Sequence, residues 1–173
     1  MYRGKSIYTS LAMKSILENL GGKGEYREEF NSEEKLMAQK ACFVSLHMKN
    51  GDLRGCIGTL EPYRENLMEE IIGNAKSAAF GDPRFPPLTR EEVEEIEVSV
   101  DILDKPERIE KRSQLDPKVY GVIVKKGVRR GVLLPDLPGV TDIDEQIQIA
   151  MSKAGIGAQE EVELYRFKVK RYH

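Results

Sequence analysis

The sequence predicts an α+β fold of two lobes, built mainly on antiparallel sheets, and three observations carry that expectation. Apolar residues alternate with period two in short runs around Asn50-Gly51 and around Lys126-Gly127, the pattern of hairpins. A helical stripe and then a further strand follow each hairpin. One constant offset lays Gly127 on Gly51, Arg130 on Arg54, Gly131 on Gly55, Ile147 on Ile71 and Ala154 on Ala78, so the chain reads as two related hairpin-helix-strand units. Shared turn chemistry between unrelated units gives the same match. Two such units packed through their apolar faces imply one domain over residues 1–173, with two intimately packed lobes and a cleft between them.

Taken in order, Ile7, Leu11, Met13, Ile16, Leu17 and Leu20 recur at helical spacing and end at Gly21-Gly22, which predicts an N-terminal helix outside both units. Residues 21–31 are glycine-rich and charged, an exposed connector, and Ser32-Glu33-Glu34 opens a helical turn. The first hairpin runs from Ala41 to Met48 and returns from Leu53 to Thr59. Leu67, Met68, Ile71, Ile72, Ala75, Ala78 and Ala79 mark a helix that stops at Gly81. Pro83, Pro86 and Pro87 make the next segment a stiff loop, because each lacks a donor and restricts the residue before it. Thr89 and Glu92 form a capping box for a short helix, and Ile96, Val98, Val100 and Ile102 alternate with polar residues as a half-exposed strand. Residues 106–117 read as irregular chain with one helical turn. The second hairpin spans 119–134, Thr141 caps a helix closed by Gly155, and Tyr165, Phe167 and Val169 end the chain as a strand.

With 173 residues, 40% hydrophobic and 32% charged, composition describes an ordinary globular protein and excludes disordered and collagen-like classes. Lys and Arg number 27 against 29 Asp and Glu, so no global charge attracts a polyanion and a nucleic-acid partner is not expected. Lys125, Lys126, Arg129 and Arg130 are a local basic cluster, either a solvated turn or a phosphate contact. No apolar run approaches the roughly 18 residues of a membrane span, and the start of the chain lacks a secretory core, which points to a cytoplasmic protein with no membrane partner. Two cysteines and two histidines lack the spacing of a structural metal site, and no phosphate-binding loop signals a cofactor.

Chemistry concentrates on the first hairpin. A two-residue turn at Asn50-Gly51 pairs Lys49 with Asp52, His47 with Arg54 and Ser45 with Cys56. One face then carries Cys42, Val44, Leu46, Met48, Leu53, Ile57 and Thr59, and the other carries Phe43, Ser45, His47, Arg54, Cys56 and Gly58. Cys42 and Cys56 point to opposite sides and are not expected to bridge. Cys56 gains Arg54 on its own face, His47 on the diagonal and open backbone at Gly55 and Gly58, conditions that favour a reactive thiolate. A free cysteine packed beneath another element is the alternative. In the proline loop, Arg84 either pairs with Asp82 or captures an anionic ligand, while Phe85 plugs the cleft.

The run Leu53-Arg54-Gly55-Cys56-Ile57-Gly58-Thr59 resembles the signature of the AMMECR1 family. The resemblance continues through Asp82-Pro83-Arg84-Phe85-Pro86-Pro87-Leu88, Gly121-Val122-Ile123-Val124, Arg130-Gly131, Leu133-Leu134-Pro135 and Lys153-Ala154-Gly155, in order over nearly the whole chain. The chain resembles the stand-alone prokaryotic form, the AmmeMemoRadiSam system protein A group, named for its genomic association with Memo-like and radical-SAM proteins. The resemblance implies a two-lobed α/β fold without a settled activity, and a functional surface of Arg54, Gly55, Cys56, Gly58, Thr59, Asp82, Arg84 and Phe85. His47 lies outside the signature, which leaves Arg54 as the activator expected for Cys56. Two roles then compete: a Cys56-dependent enzyme acting on a small anionic or carbonyl substrate, and an interaction module for Memo-like and radical-SAM partners.

Overall fold

In the computed structural model, which describes residues 6–22 and 26–173, Ser6 and Thr9 cap the first helix reciprocally, and α1 (Ile7–Asn19) follows. The chain divides into two units, residues up to Leu103 with Lys170–His173, and Asp104–Val169. The first contains α1, the short helical turns α2 (Arg27–Phe30) and α3 (Glu34–Met37), β1 (Cys42–Met48), β2 (Leu53–Gly58), α4 (Leu67–Phe80), a 3₁₀ turn at Glu91–Glu95 and β3 (Ile96–Leu103). The second contains β4 (Glu107–Ile109), a 3₁₀ turn at Arg112–Gln114, β5 (Gly121–Lys126), β6 (Arg129–Leu133), α5 (Ile143–Lys153) and β7 (Glu163–Phe167). Strand β8 (Val169–Tyr172) joins the sheet of the first unit.

That sheet has the order β2-β1-β3-β8, with β1 antiparallel to both neighbours. Leu11 and Ile16 of α1 and Ile71, Ala75 and Ala78 of α4 bury against Val44 and Leu46 of β1 and Val98 and Val100 of β3. The second sheet has the order β4-β7-β5-β6, and Ile147, Ala150 and Met151 of α5 share a core with Val122, Val124 and Leu133. Both units therefore follow one plan: a central strand, a hairpin partner outside it, a covering helix, and a strand that returns antiparallel along the other side.

The constant offset between the units does not hold through the hairpins. Gly55 lies opposite Leu46, but Gly131 lies opposite Val124, two residues from the position the offset assigns. The loops explain the displacement. The second hairpin closes with Gly127-Val128 and a positive Gly127 φ of 57°, pairing Lys126 with Arg129. In the first, Met48 N–H donates to the Asp52 carbonyl and Gly51, at φ 92°, donates to Met48, so the loop holds 49–51. A bulge follows, which leaves Arg54 unopposed, pairs His47 with Leu53 and restores the expected match of Ser45 with Cys56. His47 and Arg54 are thus not partners.

Other expectations change in detail. The connector is not wholly exposed: Tyr26 and Phe30, four apart on one turn, are both buried, while residues 23–25 lie outside the described residues. Strand β3 is buried on both faces, including Ser99 and an Asp101 only 2% exposed, which takes both ends of the Arg171 fork at 2.8 and 2.9 Å. Arg90, not Thr89, precedes the 3₁₀ turn at Glu91–Glu95, although Glu92 does accept the Thr89 N–H. Asp142 rather than Thr141 caps α5, accepting from the Asp144 and Glu145 N–H groups. The last apolar run supplies two strands, β7 and β8, separated at Lys168.

Candidate functional site

Cys56 sits on β2, the outer strand of the first sheet, with its half-buried side chain on the face opposite α4. The ladder shows why its peptide faces outward. Thr59 N–H donates to the Cys42 carbonyl, so residues 42 and 59 are a hydrogen-bonded pair, and the alternation over the three residues back to 56 turns the Cys56 N–H and C=O off the sheet. Side chains of the proline loop take both groups. Asp82 Oδ2 accepts the Cys56 N–H at 3.0 Å, and Arg84 Nη2 donates to the Cys56 carbonyl at 3.3 Å. The pair occupies the place that a neighbouring strand's peptide has, and so blunts an exposed edge.

Asp82 lies just beyond the C-terminal end of α4, where a carboxylate is disfavoured by the helix dipole. Its partners offset that. Arg84 Nε reaches Oδ1 at 3.0 Å, Nη2 reaches Oδ2 at 2.8 Å, and the Arg84 backbone N–H donates to Oδ1 at 3.1 Å. The guanidinium bonds above all, then the backbone donors of Cys56 and Arg84, hold the Asp82 carboxyl well below its usual range against the opposing effect of burial. Arg84 is raised in return, and its guanidinium lies 5.4 Å from the Phe85 ring centre. On the other side of the thiol, Ser45 Oγ donates to Cys56 Sγ at 3.1 Å.

The sequence-selected residues divide between this cluster and the scaffold around it. Cys56, Asp82, Arg84 and Phe85 come together. Arg54 does not join them through any hydrogen bond among the described residues: its Nε and Nη2 fork onto Glu92 at 2.8 and 3.0 Å, and its buried Nη1 has no partner among those residues. Gly55 is needed for packing, since a Cβ there collides with the Ala78 carbonyl of α4. Gly58 lies under the Phe43 ring. Thr59 donates at 2.5 Å to Glu70, a fully buried carboxylate that also accepts the Tyr63 and Arg64 N–H groups and fixes loop 59–66. His47 flanks the turn, across from Leu53. Glu92 and Glu70 escaped the sequence reading as anchors: the arginine that Glu92 holds is 38 residues away, so no local pattern reports it, whereas Arg64 stands six residues before Glu70.

Cys42 is free and buried, its thiol pushed up to about 12 by burial, while Cys56 is free and half-buried. Among the described residues no group of three or more His, Cys, Asp or Glu is placed to hold a metal ion, and no helix is long and apolar enough to cross a membrane. At the second hairpin Glu160 accepts Lys126 Nζ and the Arg129 fork, so these two cations of the cluster are paired.

Comparison with known proteins bears on this arrangement. The sequence model of the AMMECR1 family matches residues 9–172. The chain belongs to the AMMECR1 family. A Thermotoga maritima protein is 48% identical over 172 residues, covering 98% of each chain. A Clostridium acetobutylicum protein is 45% identical over 171 residues, 97% of this chain but 36% of that longer one. The crystal structure of Uncharacterized Protein PH0010 from Pyrococcus horikoshii shares the fold, with a TM-score of 0.83 at 31% identity over 95% of this chain and 88% of that one. The mixed α/β architecture is the one expected of the family.

Proposed function

We propose that this AMMECR1-family chain uses Cys56 as a nucleophile towards a small anionic or carbonyl substrate. The observation that carries the reading is the thiol's setting: a half-buried sulfur between the Ser45 hydroxyl, 3.1 Å away, and a loop guanidinium bonded to the cysteine's own carbonyl. A hydroxyl within hydrogen-bond reach of the sulfur and a guanidinium held against the cysteine's carbonyl are groups that can assist a nucleophilic attack and the charge it develops. Arg54, the activator expected from the sequence, has its fork on Glu92, so the cation's task passes to Arg84. With a carbonyl substrate, the thiol proton passes to solvent, the Sγ lone pair forms the C–S bond, and the carbonyl π pair moves onto oxygen beside the guanidinium.

Iodoacetamide tests the nucleophile directly. We expect Cys56 to be alkylated in the folded protein, with iodide leaving as the C–S bond forms, while Cys42 reacts only after denaturation. Peptide mapping by mass spectrometry reads both sites. A Cys56 as inert as Cys42 until the chain unfolds removes the enzymatic reading.

A second reading, a docking module for Memo-like and radical-SAM proteins, is favoured by the exposure of Pro83, Arg84, Pro86 and Pro87 on a loop of restricted backbone. It expects Cys56→Ser to leave co-purification with those proteins intact and Phe85→Ala to abolish it.

A further inference from the structure

Resting on the thiol reading above, we propose that Arg84 is the specificity-determining residue of the site and that the electrophile it admits carries a carboxylate. The guanidinium is held side-on. Nε and Nη2 face Asp82, Nη2 also meets the Cys56 carbonyl, and Phe85 lies against the cation. That geometry leaves Nη1 on the far side of the fork, with no partner among the described residues, on a side chain that is 55% exposed. Its orientation is set before any ligand arrives, because Asp82 is only 1% exposed and accepts from the Arg84 backbone as well as the side chain.

The surroundings narrow the ligand's chemistry. Asp82 cancels the pair's charge at a distance, so no long-range field draws in polyanions. What remains is short-ranged, a charge-assisted donor that rewards only an acceptor seated against Nη1. The alternation that turns the Cys56 peptide outward does the same for Gly58, whose N–H faces the same open edge of β2. A neutral carbonyl compound finds the sulfur but leaves Nη1 to water. A compound that carries a carboxylate close to its reactive carbon offers a group to each.

Two reagents that differ only in charge separate these cases. Iodoacetate and iodoacetamide alkylate a thiol by the same displacement of iodide, and their rate ratio on glutathione supplies the reference. Cys56 is expected to favour iodoacetate about three-fold more than glutathione does, the scale of one part-exposed ion pair. Arg84→Gln should return the ratio to the reference, whatever it does to the two rates together. In the unmodified protein the preference should shrink as salt rises from 0.01 to 1 M, where the screening length falls from about 30 to 3 Å. A wild-type ratio equal to that of glutathione, or a preference that survives Arg84→Gln or 1 M salt, overturns the proposal while leaving the nucleophile intact. Failure of both reagents to reach Cys56 in the folded chain overturns the nucleophile itself.

Discussion

Glu92 and Arg54 show how unequal two ends of one ion pair are. The Arg54 side chain is 9% exposed and the Glu92 side chain 30%, so the arginine depends on the carboxylate far more than the reverse. The fork is also what holds the Glu92 carboxyl below its usual range, ahead of the opposing effect of burial. Glu92→Gln leaves a buried guanidinium, already short of one partner at Nη1, without its counter-charge, and should cost about 3 kcal/mol in urea unfolding. Arg54→Met removes the buried charge together with its desolvation, and Glu92 can regain water, so its cost should be smaller, about 1–2 kcal/mol. The reverse order would mean that Arg54 matters through packing of its stem rather than through its charge. Either result also separates the stability role of Arg54 from the chemistry of Cys56, which the sequence alone had merged.

Among the elements, the two units meet their helices in the same way, and this gives a paired test. Gly55 of β2 lies against the Ala78 carbonyl of α4, and Gly131 of β6 lies against the Ala150 carbonyl of α5. Backbone stands in the path of a Cβ in both, so Gly55→Ala and Gly131→Ala should each destabilise by about 1–3 kcal/mol, read as a lowered thermal midpoint. Equality of the two effects is not required, but a neutral result at either glycine contradicts the close approach. The turn glycines Gly51 and Gly127 and the covering helices were legible because each follows from local pattern, whereas Gly55, read as open backbone, packs against α4. The register around Arg54 was not. A loop one residue longer than expected and a bulge one residue later have opposite effects on parity, so Ser45 still meets Cys56 while His47 meets Leu53. No periodicity reports a pair of errors that cancel. Strand β3 failed for a different reason: its alternating polar residues imply solvent, yet Asp101 is buried because Arg171, seventy residues away in sequence, supplies the fork that pays for it. Asp82 and Arg84 were legible as a pair, but their grip on the Cys56 peptide was not, since edge geometry depends on that same register.

Across the whole molecule, the lowered carboxylates impose a common pH dependence. Asp82 and Glu92 in the first unit and Glu160 in the second are all held down, each first by hydrogen bonds from a cationic side chain. A carboxyl with a lower value in the folded chain binds fewer protons there than when unfolded, so its stabilisation is complete above the unfolded value, about 4. It is lost as pH falls through the folded value. Thermal stability should therefore be flat with respect to these groups from pH 8 to about 5 and decline progressively below 4. Asp82→Asn tests the assignment within that window. Asparagine still accepts the Cys56 N–H but cannot change charge, so the variant should start lower at pH 7 and fall less steeply between pH 4 and 2 than the parent chain. Differential scanning calorimetry across the range measures both slopes. Parallel slopes would show that Asp82 does not carry its share of the acid dependence, and that the bonds around Cys56 hold equally well to a neutral acceptor.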